Sequence, residues 1–159
     1  MSDEIFTSCT GPYTRIPFAR RDLKPAQKLL DGLAQLSARL NVCERPSGDG
    51  GTTDFNLHID IKAPHTPDIT WDVRAAKFIG PKKLFRRAHI YEIAVRKRDQ
   101  DHAVQWEGYL FAYRFKALAQ RFPNDLQHLI EGQSGSDFAK DWLPADRAQA
   151  ERIRLCTGA

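Results

Sequence analysis

The chain has 159 residues, of which 42% are hydrophobic and 28% are charged, and its formal net charge is +4. This balance is typical of a folded globular domain and excludes wholesale disorder. No apolar run approaches the roughly 18 residues that cross a bilayer, and the acidic N-terminus lacks the apolar core of a secretory signal, so we expect a cytoplasmic protein that does not associate with membranes.

The first predicted element is a helix that follows an N-terminal arm. Residues 1–21 show no periodicity and are assigned to the arm. Leucines recur at helical spacing through residues 22–42, which predicts an amphipathic helix with its leucines facing the core. Asp22 is the expected N-cap, and Pro25 falls in the first turn, where its missing N–H costs little.

Four strands are predicted next, because apolar and polar residues alternate along four successive segments. The segments are residues 54–62, 69–77 and 89–98, and a fourth that starts at Ala103. Gly80–Pro81 is expected to end the second strand, and residues 82–88 are predicted to form a short helical turn. Short connections between the strands favour an antiparallel meander.

Helices are predicted for the rest of the chain. One is expected to begin near Tyr113, with a restart at Pro123–Asn124, and weaker helices are expected over residues 137–156. The predicted fold is therefore α+β: an N-terminal helix, a four-stranded antiparallel meander sheet, and C-terminal helices packed on one sheet face. Residues 22–156 would form a single domain, with residues 157–159 as a tail.

Positive charge is concentrated in one segment. From Lys77 to Arg98 the chain has eight basic residues and the single acid Glu92, a sum of +7, whereas the stretch from Asp125 to Glu151 sums to −4. A localised basic segment is the electrostatic pattern of a surface that binds nucleic acid or an acidic protein. The candidate nucleic-acid-binding residues are Lys82, Lys83, Arg86, Arg87, Arg96, Lys97 and Arg98.

The polar faces of the first two strands place titratable groups opposite each other. Pairing of these strands puts Asp60 opposite Asp72 and His58 opposite Arg74, with Cβ atoms about 5 Å apart. Two opposed carboxylates repel unless a cation or a proton lies between them. The same alternation of acids and bases also forms cross-strand ion pairs without any ligand, each contributing about 0.2–1 kcal/mol.

An alternative interpretation of this face is a metal-dependent catalytic site that binds Mg²⁺ or Mn²⁺ through Asp60, Asp72 and Glu92, with Lys62 as a fourth catalytic residue. The order helix, three-stranded meander, helix resembles the core of the PD-(D/E)xK nucleases. In that family an acid on the second strand faces a Glu-x-Lys on the third. The resemblance implies that Asp72 is the first acid and Glu92 the second, while Ala94 occupies the position of the family's lysine.

Three classes of function are compatible with these patterns. The basic segment favours a non-enzymatic binding or regulatory module that associates with nucleic acid through residues 77–98. The alternatives are the metal-dependent nuclease and a protein–protein adaptor, and the uneven charge also permits a homo-oligomer. The cysteines Cys9, Cys43 and Cys156 are too widely spaced for a zinc motif or a disulfide framework, so the binding module is expected to need no cofactor.

Overall fold

The computed structural model describes residues 13–34, 39–43, 57–62, 67–83, 86–131 and 141–158. It confirms an α+β fold with an antiparallel sheet. The strands are β1 (Thr14–Ile16), β2 (Arg39–Cys43), β3 (Leu57–Lys62), β4 (Thr70–Lys83), β5 (Arg86–Arg98) and β6 (Val104–Ala112). The helices are α1 (Leu23–Ala34), which follows a 3-10 turn at Arg20–Asp22, α2 (Phe115–Ile130) and α3 (Ala145–Thr157).

The sheet contains the predicted meander and extends beyond it. Strands β2 to β6 lie side by side in chain order, and β1 pairs separately with β4. Because β4 is 14 residues long, one of its edges holds two strands, with β3 along the N-terminal half and β1 along the C-terminal half. The predicted number of four strands was therefore too low, since β1 and β2 also belong to the sheet.

The predicted N-terminal helix is wrong in position and length. Strand β1 precedes it, within residues assigned to the arm, and α1 ends at Ala34. Residues 39–43 form β2 instead, which pairs along its whole length with β3. Leu40 and Val42 fit an alternating pattern as well as a helical one, and pairing satisfies backbone groups along the outer edge of β3 that a longer helix would leave exposed.

The β4–β5 hairpin is longer than the sequence predicts. Residues 82–83 and 86–87 are strand residues and not a helical turn, while 84–85 lie outside the described residues. Strand β4 passes through Gly80 and Pro81 by a register shift between Ile79 and Lys82. A β-bulge tolerates a proline, and a Cβ on Gly80 would lie 2.9 Å from the carbonyl oxygen of Ala88.

The first sheet face packs against α1 and α2. The buried residues of this core come from β3, β4 and β5 and from both helices, with Ile59, Val73, Ile93, Leu29 and Phe122 all fully buried. Helix α2 runs through Pro123 without the predicted restart. The proline lies against Gly32 of α1, where a Cβ would be 2.7 Å from Pro123 Cγ, so the glycine allows the two helices to approach closely.

The second sheet face is covered in part by α3, which corrects the prediction that the C-terminal helices share one face. The chain crosses the outer edge of the sheet at Leu143, which exchanges two backbone hydrogen bonds with Tyr109 of β6. Helix α3 then packs Leu155 and Cys156 on Phe78 and Ile90, a second apolar cluster. No helix in the described part of the chain is long and apolar enough to span a membrane.

A buried ionic cluster, formed by Asp22, Lys77 and Tyr91, ties the 3-10 turn to the first sheet face. Lys77 Nζ lies 2.8 Å from Asp22 Oδ2, and the Tyr91 hydroxyl donates to Asp22 Oδ1 at 2.7 Å. The backbone N–H of Ala19 also donates to Asp22. Asp22 is therefore not the simple N-cap that the sequence predicts, but the acceptor of three hydrogen bonds in the protein interior.

Candidate anion-binding cavity

A cavity of about 280 Å³ lies between the second sheet face and α3. We call it the arginine cavity. Its lining residues come from β1, β4, β5, β6 and α3, and it is partly open to solvent. They are Tyr13, Arg15, Arg74, Ala76, Phe78, Glu92, Ala94, Arg96, Tyr109, Ala145, Gln149 and Arg152.

Strand register places small side chains on the cavity floor. Arg74 of β4 pairs with Ala94 of β5, which pairs in turn with Tyr109 of β6. One step along the same face, Ala76 pairs with Glu92. Because side chains two residues apart share a sheet face, the two alanines leave a hollow between longer side chains, and α3 lies above it.

Four elements each contribute one arginine to the wall. Arg15 comes from β1, Arg74 from β4, Arg96 from β5 and Arg152 from α3. Among the described lining residues the one carboxylate is Glu92, so the lining carries a net charge of +3. Converging guanidinium groups with this excess of charge attract anions, because each presents a rigid set of five N–H donors.

Glu92 and Arg152 form an ion pair that joins the sheet to α3. Arg152 Nε lies 2.7 Å from Glu92 Oε2; the Glu92 side chain is buried and the Arg152 side chain is 11% exposed. The Arg152 guanidinium also lies 5.5–5.7 Å from the ring centres of Tyr13, Phe78, Tyr109 and Phe111. Burial alone would lower the pKa of Arg152, but the Glu92 carboxylate outweighs it and raises that pKa. This arginine is thus fixed in place before any ligand arrives.

Two of the other cavity arginines, Arg74 and Arg96, pair with acids that lie outside the lining. Arg96 Nε is 3.3 Å from Glu107 Oε2, and Arg74 Nε is 3.3 Å from Asp72 Oδ1, so both contacts are long. The pKa of Arg15 is lowered to about 10, chiefly by burial; Glu92 opposes this change and the charge of Arg74 adds to it. Burial also acts against the charge of Arg96, but Tyr109 and Glu107 outweigh it and raise the pKa of that arginine.

A second polar group, formed by His58, Asp60 and Asp72, lies beside the cavity on the same face. The structure confirms the predicted register, with Asp60 opposite Asp72 and His58 opposite Arg74. His58 Nε2 is 2.7 Å from Asp72 Oδ1 and 3.4 Å from Asp60 Oδ1, although it is not aligned for a hydrogen bond with either. The imidazole is therefore the cation between the two opposed carboxylates.

The charges around this group make it an ion-pair network. Asp60 and Asp72 raise the pKa of His58 to about 9, against the effect of burial. Burial raises the pKa of Asp72, but His58 and Arg74 outweigh it and hold that pKa at about 2. Arg98 Nε adds a further contact 3.5 Å from Asp72 Oδ2. A metal ion bound by the three ligand atoms, which lie within 4.8 Å of one another, would have to displace the imidazolium proton and face two arginines.

The predicted catalytic set is brought together only in part. Asp60 and Asp72 are neighbours, and Lys62 lies at the exposed end of the same strand as Asp60. Arg96 is the cross-strand partner of Asp72, and Glu92 lies four residues away from Arg96 on β5. This separation is about 13 Å along the strand. Glu92 pairs instead with Arg152. The described side chains therefore do not place Glu92 in one metal site with the two aspartates.

The seven predicted nucleic-acid-binding residues lie at the two ends of β5 and not on one surface. Lys82, Lys83, Arg86 and Arg87 form the end of the β4–β5 hairpin. Arg96, Lys97 and Arg98 lie near the other end of β5, about 33–40 Å from Arg86 at the usual rise of a strand. Arg96 lines the arginine cavity, Lys97 lies over the ring of Trp71, and Arg98 contacts Asp72.

Sequence reasoning missed most of the cavity. Arg15 was assigned to the arm, and Arg152 to the weaker helices predicted over residues 137–156, with no role in a site. The alternation along β4 and β5 does place Arg74 and Arg96 on the polar face, and the alanines between them were a usable signal for a hollow. The contributions of β1 and α3 depend on tertiary packing, which no local pattern shows.

Comparison with family models, with curated proteins and with solved structures gives no match for this chain. The chemistry of the site is therefore what bears on function.

Proposed function

We propose that the protein is a binding module whose arginine cavity takes up the anionic group of a ligand. The observation that carries this proposal is the convergence of four arginines, from four different elements, on one cavity with a single carboxylate among its described lining residues. The lining residues themselves have a net charge of +3, and Arg74 and Arg96 each also pair with an acid outside the lining, Asp72 and Glu107. The four guanidinium groups supply N–H donors that an anion in the cavity could use.

The direct test is to change the charge of the cavity floor without removing an arginine. Ala94 is partly exposed at the floor, so Ala94→Glu adds a carboxylate there and Ala94→Gln adds nearly the same volume without charge. Isothermal titration with sulfate, phosphate and malonate, at constant ionic strength, would measure binding. We expect wild type to bind at least one of these anions and Ala94→Glu to weaken that binding about tenfold or more, well beyond the effect of Ala94→Gln.

Two results would contradict the proposal. One is the failure of wild type to bind any of the three anions. The other is equal binding by the Glu and Gln variants, because the cavity charge would then be irrelevant. Thermal unfolding of both variants shows whether each remains folded.

A second candidate function is nucleic-acid association through the end of the β4–β5 hairpin. There the register places Lys82 directly opposite Arg87 and Lys83 opposite Arg86. Like charges that face each other across strands are destabilising, and the arrangement becomes favourable when a polyanion lies against it. A two-stranded ribbon also has the width that the DNA major groove admits.

The hairpin candidate is tested by removing its four charges together. The variant Lys82→Ala, Lys83→Ala, Arg86→Ala, Arg87→Ala is compared with one that removes four exposed cations elsewhere, Lys24, Lys28, Lys116 and Arg147. Fluorescence anisotropy with mixed DNA and RNA, at several salt concentrations, should show weaker binding and a smaller salt slope for the hairpin variant alone. Equal losses in both variants would mean that only net charge matters.

A further inference from the structure

We infer that the end of the β4–β5 hairpin inserts into the major groove of B-form duplex DNA. This inference rests on the second candidate function, nucleic-acid association through the hairpin, and names its partner. It does not depend on the arginine cavity. The part of the hairpin concerned is residues 80–83 and 86–90, which we call the basic ribbon.

The basic ribbon extends beyond the neighbouring strands of the sheet. Ile79 is the last residue of β4 that pairs with β1, and Tyr91 is the first residue of β5 that pairs with β6. In the described part of the chain, the ribbon therefore has no third strand beside it. Helix α3 supports its base on the second sheet face, where Leu155 packs with Ile90. A two-stranded element that is anchored at its base can enter a groove of a partner.

Three exposed cations of the ribbon have no acidic partner among the residues that the structure describes. They are Lys82, Arg86 and Arg87, and no ion pair joins any of them to a described acid. Their charge is therefore not neutralised within the described part of the fold. Exposed positive charge of this kind attracts a polyanion and adds to its affinity when counterions are released from the phosphates.

Positive charge lies on both faces of the ribbon. Lys82 pairs with Arg87, so these two side chains share one face. Arg86 is the next residue along β5 and therefore points to the opposite face. A groove of a nucleic-acid duplex has a phosphate backbone on each side, so each face of an inserted ribbon meets an anionic wall. A lipid surface offers only one such wall, and single strands are usually bound in a groove of the protein, whereas the ribbon projects outwards.

The thickness of the ribbon selects the major groove of DNA. A pair of strands with side chains on both faces is about 10 Å thick, judged from the spacing of stacked sheets. The major groove of B-DNA is about 12 Å wide and the minor groove about 6 Å. The major groove of an RNA duplex is too narrow for side chains to enter. From Gly80 to Lys83 the strand advances about 10 Å, which matches the DNA groove depth of about 8.5 Å.

The first test compares four nucleic acids of one length and sequence by fluorescence anisotropy with the full chain. They are duplex DNA, duplex RNA, single-stranded DNA, and duplex DNA whose cytosines carry a glucosylated hydroxymethyl group at C5, which projects into the major groove. We expect unmodified duplex DNA to bind about tenfold or more tightly than each of the other three. Equal or tighter binding of any of these three overturns the inference and leaves the second candidate function intact. If none of the four binds, that candidate function fails as well.

The second test removes charge from one face of the ribbon at a time. The double variant Lys82→Gln, Arg87→Gln neutralises one face, and Arg86→Gln neutralises a cation of the other face. The slope of log affinity against log salt concentration measures how many phosphate contacts each variant loses. With duplex DNA, we expect this slope to become shallower by up to about 1.8 in the double variant and by up to about 0.9 in the single variant.

Matched controls remove the same number of exposed cations elsewhere in the chain. Lys24→Gln, Lys28→Gln on α1 is compared with the double variant, and Arg147→Gln on α3 with the single variant. Both controls are expected to keep the wild-type salt slope, and thermal unfolding shows whether each variant is folded. An unchanged slope in either folded ribbon variant would overturn the inference, because only one face of the ribbon would then contact phosphates.

Discussion

The two faces of the sheet hold their buried charges in opposite ways. On the face covered by α1 and α2, Lys77 lies 2.8 Å from Asp22, and the Tyr91 hydroxyl donates to the same carboxylate at 2.7 Å. On the other face, Arg15, Arg74 and Arg96 line an accessible cavity, and Arg74 and Arg96 lie 3.3 Å from Asp72 and Glu107.

A buried charge is tolerated when it has hydrogen bonds and a counter-charge. Asp22 supplies the counter-charge of Lys77 inside the protein. In the arginine cavity, the anion of the proposed function would supply a further counter-charge from outside the protein.

The largest effect is expected from breaking the sealed cluster. Asp22→Asn removes the counter-charge of Lys77, and loss of one partner from a buried ion pair costs about 3–5 kcal/mol. We expect urea unfolding to show a loss of this size. The double variant Asp22→Leu, Lys77→Met removes both charges and should recover much of the stability. A small effect of Asp22→Asn would contradict the view that the cluster is sealed.

The next largest loss of stability is expected at Glu92. Its carboxylate is the counter-charge of Arg152, as Asp22 is the counter-charge of Lys77. Glu92→Gln leaves Arg152, which is 11% exposed, without its close counter-charge, so stability should fall by about 2–3 kcal/mol. The same change raises the cavity charge, so anion binding should become stronger. Glu107→Gln, at a more exposed pair, is the control and should cost less than about 1 kcal/mol. Weaker anion binding in Glu92→Gln would count against the electrostatic argument.

The third prediction is that the stability change caused by Arg15→Gln has the opposite sign from, or is much smaller than, the loss expected at the Lys77 cluster. Without ligand, Arg15→Gln removes a cation that burial and Arg74 disfavour, so stability should be unchanged or rise by up to about 1 kcal/mol. The thermal shift produced by an anion should shrink in the same variant. A loss of several kcal/mol would show that Arg15 supports the fold as Lys77 does.

The smallest effect is the pH dependence due to His58. Its pKa is raised from 6.5 to about 9, so its stabilising contribution is complete below pH 6.5 and is lost as the pH rises through 9. Because the side chain is one third exposed, solvent screening reduces the contribution to about 1 kcal/mol. In urea unfolding experiments, wild type should be more stable than His58→Asn below pH 6.5, and this difference in unfolding free energy should disappear as the pH rises through 9. A difference that stays constant with pH would contradict the ion-pair assignment.

Alternation along the strands was sufficient to predict the meander and its register. Asp60 pairs with Asp72 and His58 with Arg74 as expected, because a slip of one residue would turn Ile59 and Val73 out of the core. The same reasoning failed at residues 39–43, where helical and alternating patterns coincide, and at Pro123, where close packing on Gly32 outweighs the helix-breaking tendency.

For the second sheet face, the sequence predicts which strand residues are polar but not which of them lie together in the cavity. Charge counting grouped Lys77 with the basic surface, although it is 1% exposed and paired with Asp22. A sum over a segment cannot show that successive residues of a strand point to opposite faces, or that its two ends are far apart. Arg152 could not be placed, because its position depends on the crossing of the sheet edge at Leu143.

The arginine cavity is assembled from parts of the chain that are more than a hundred residues apart. Tyr13 and Arg15 supply one side, and Ala145, Gln149 and Arg152 supply the roof. During synthesis the site is therefore incomplete until α3 has emerged and docked. A ligand bound there would contact both of these distant segments. Its free energy of binding would stabilise the state in which both segments are docked, so local unfolding of either segment would become rarer.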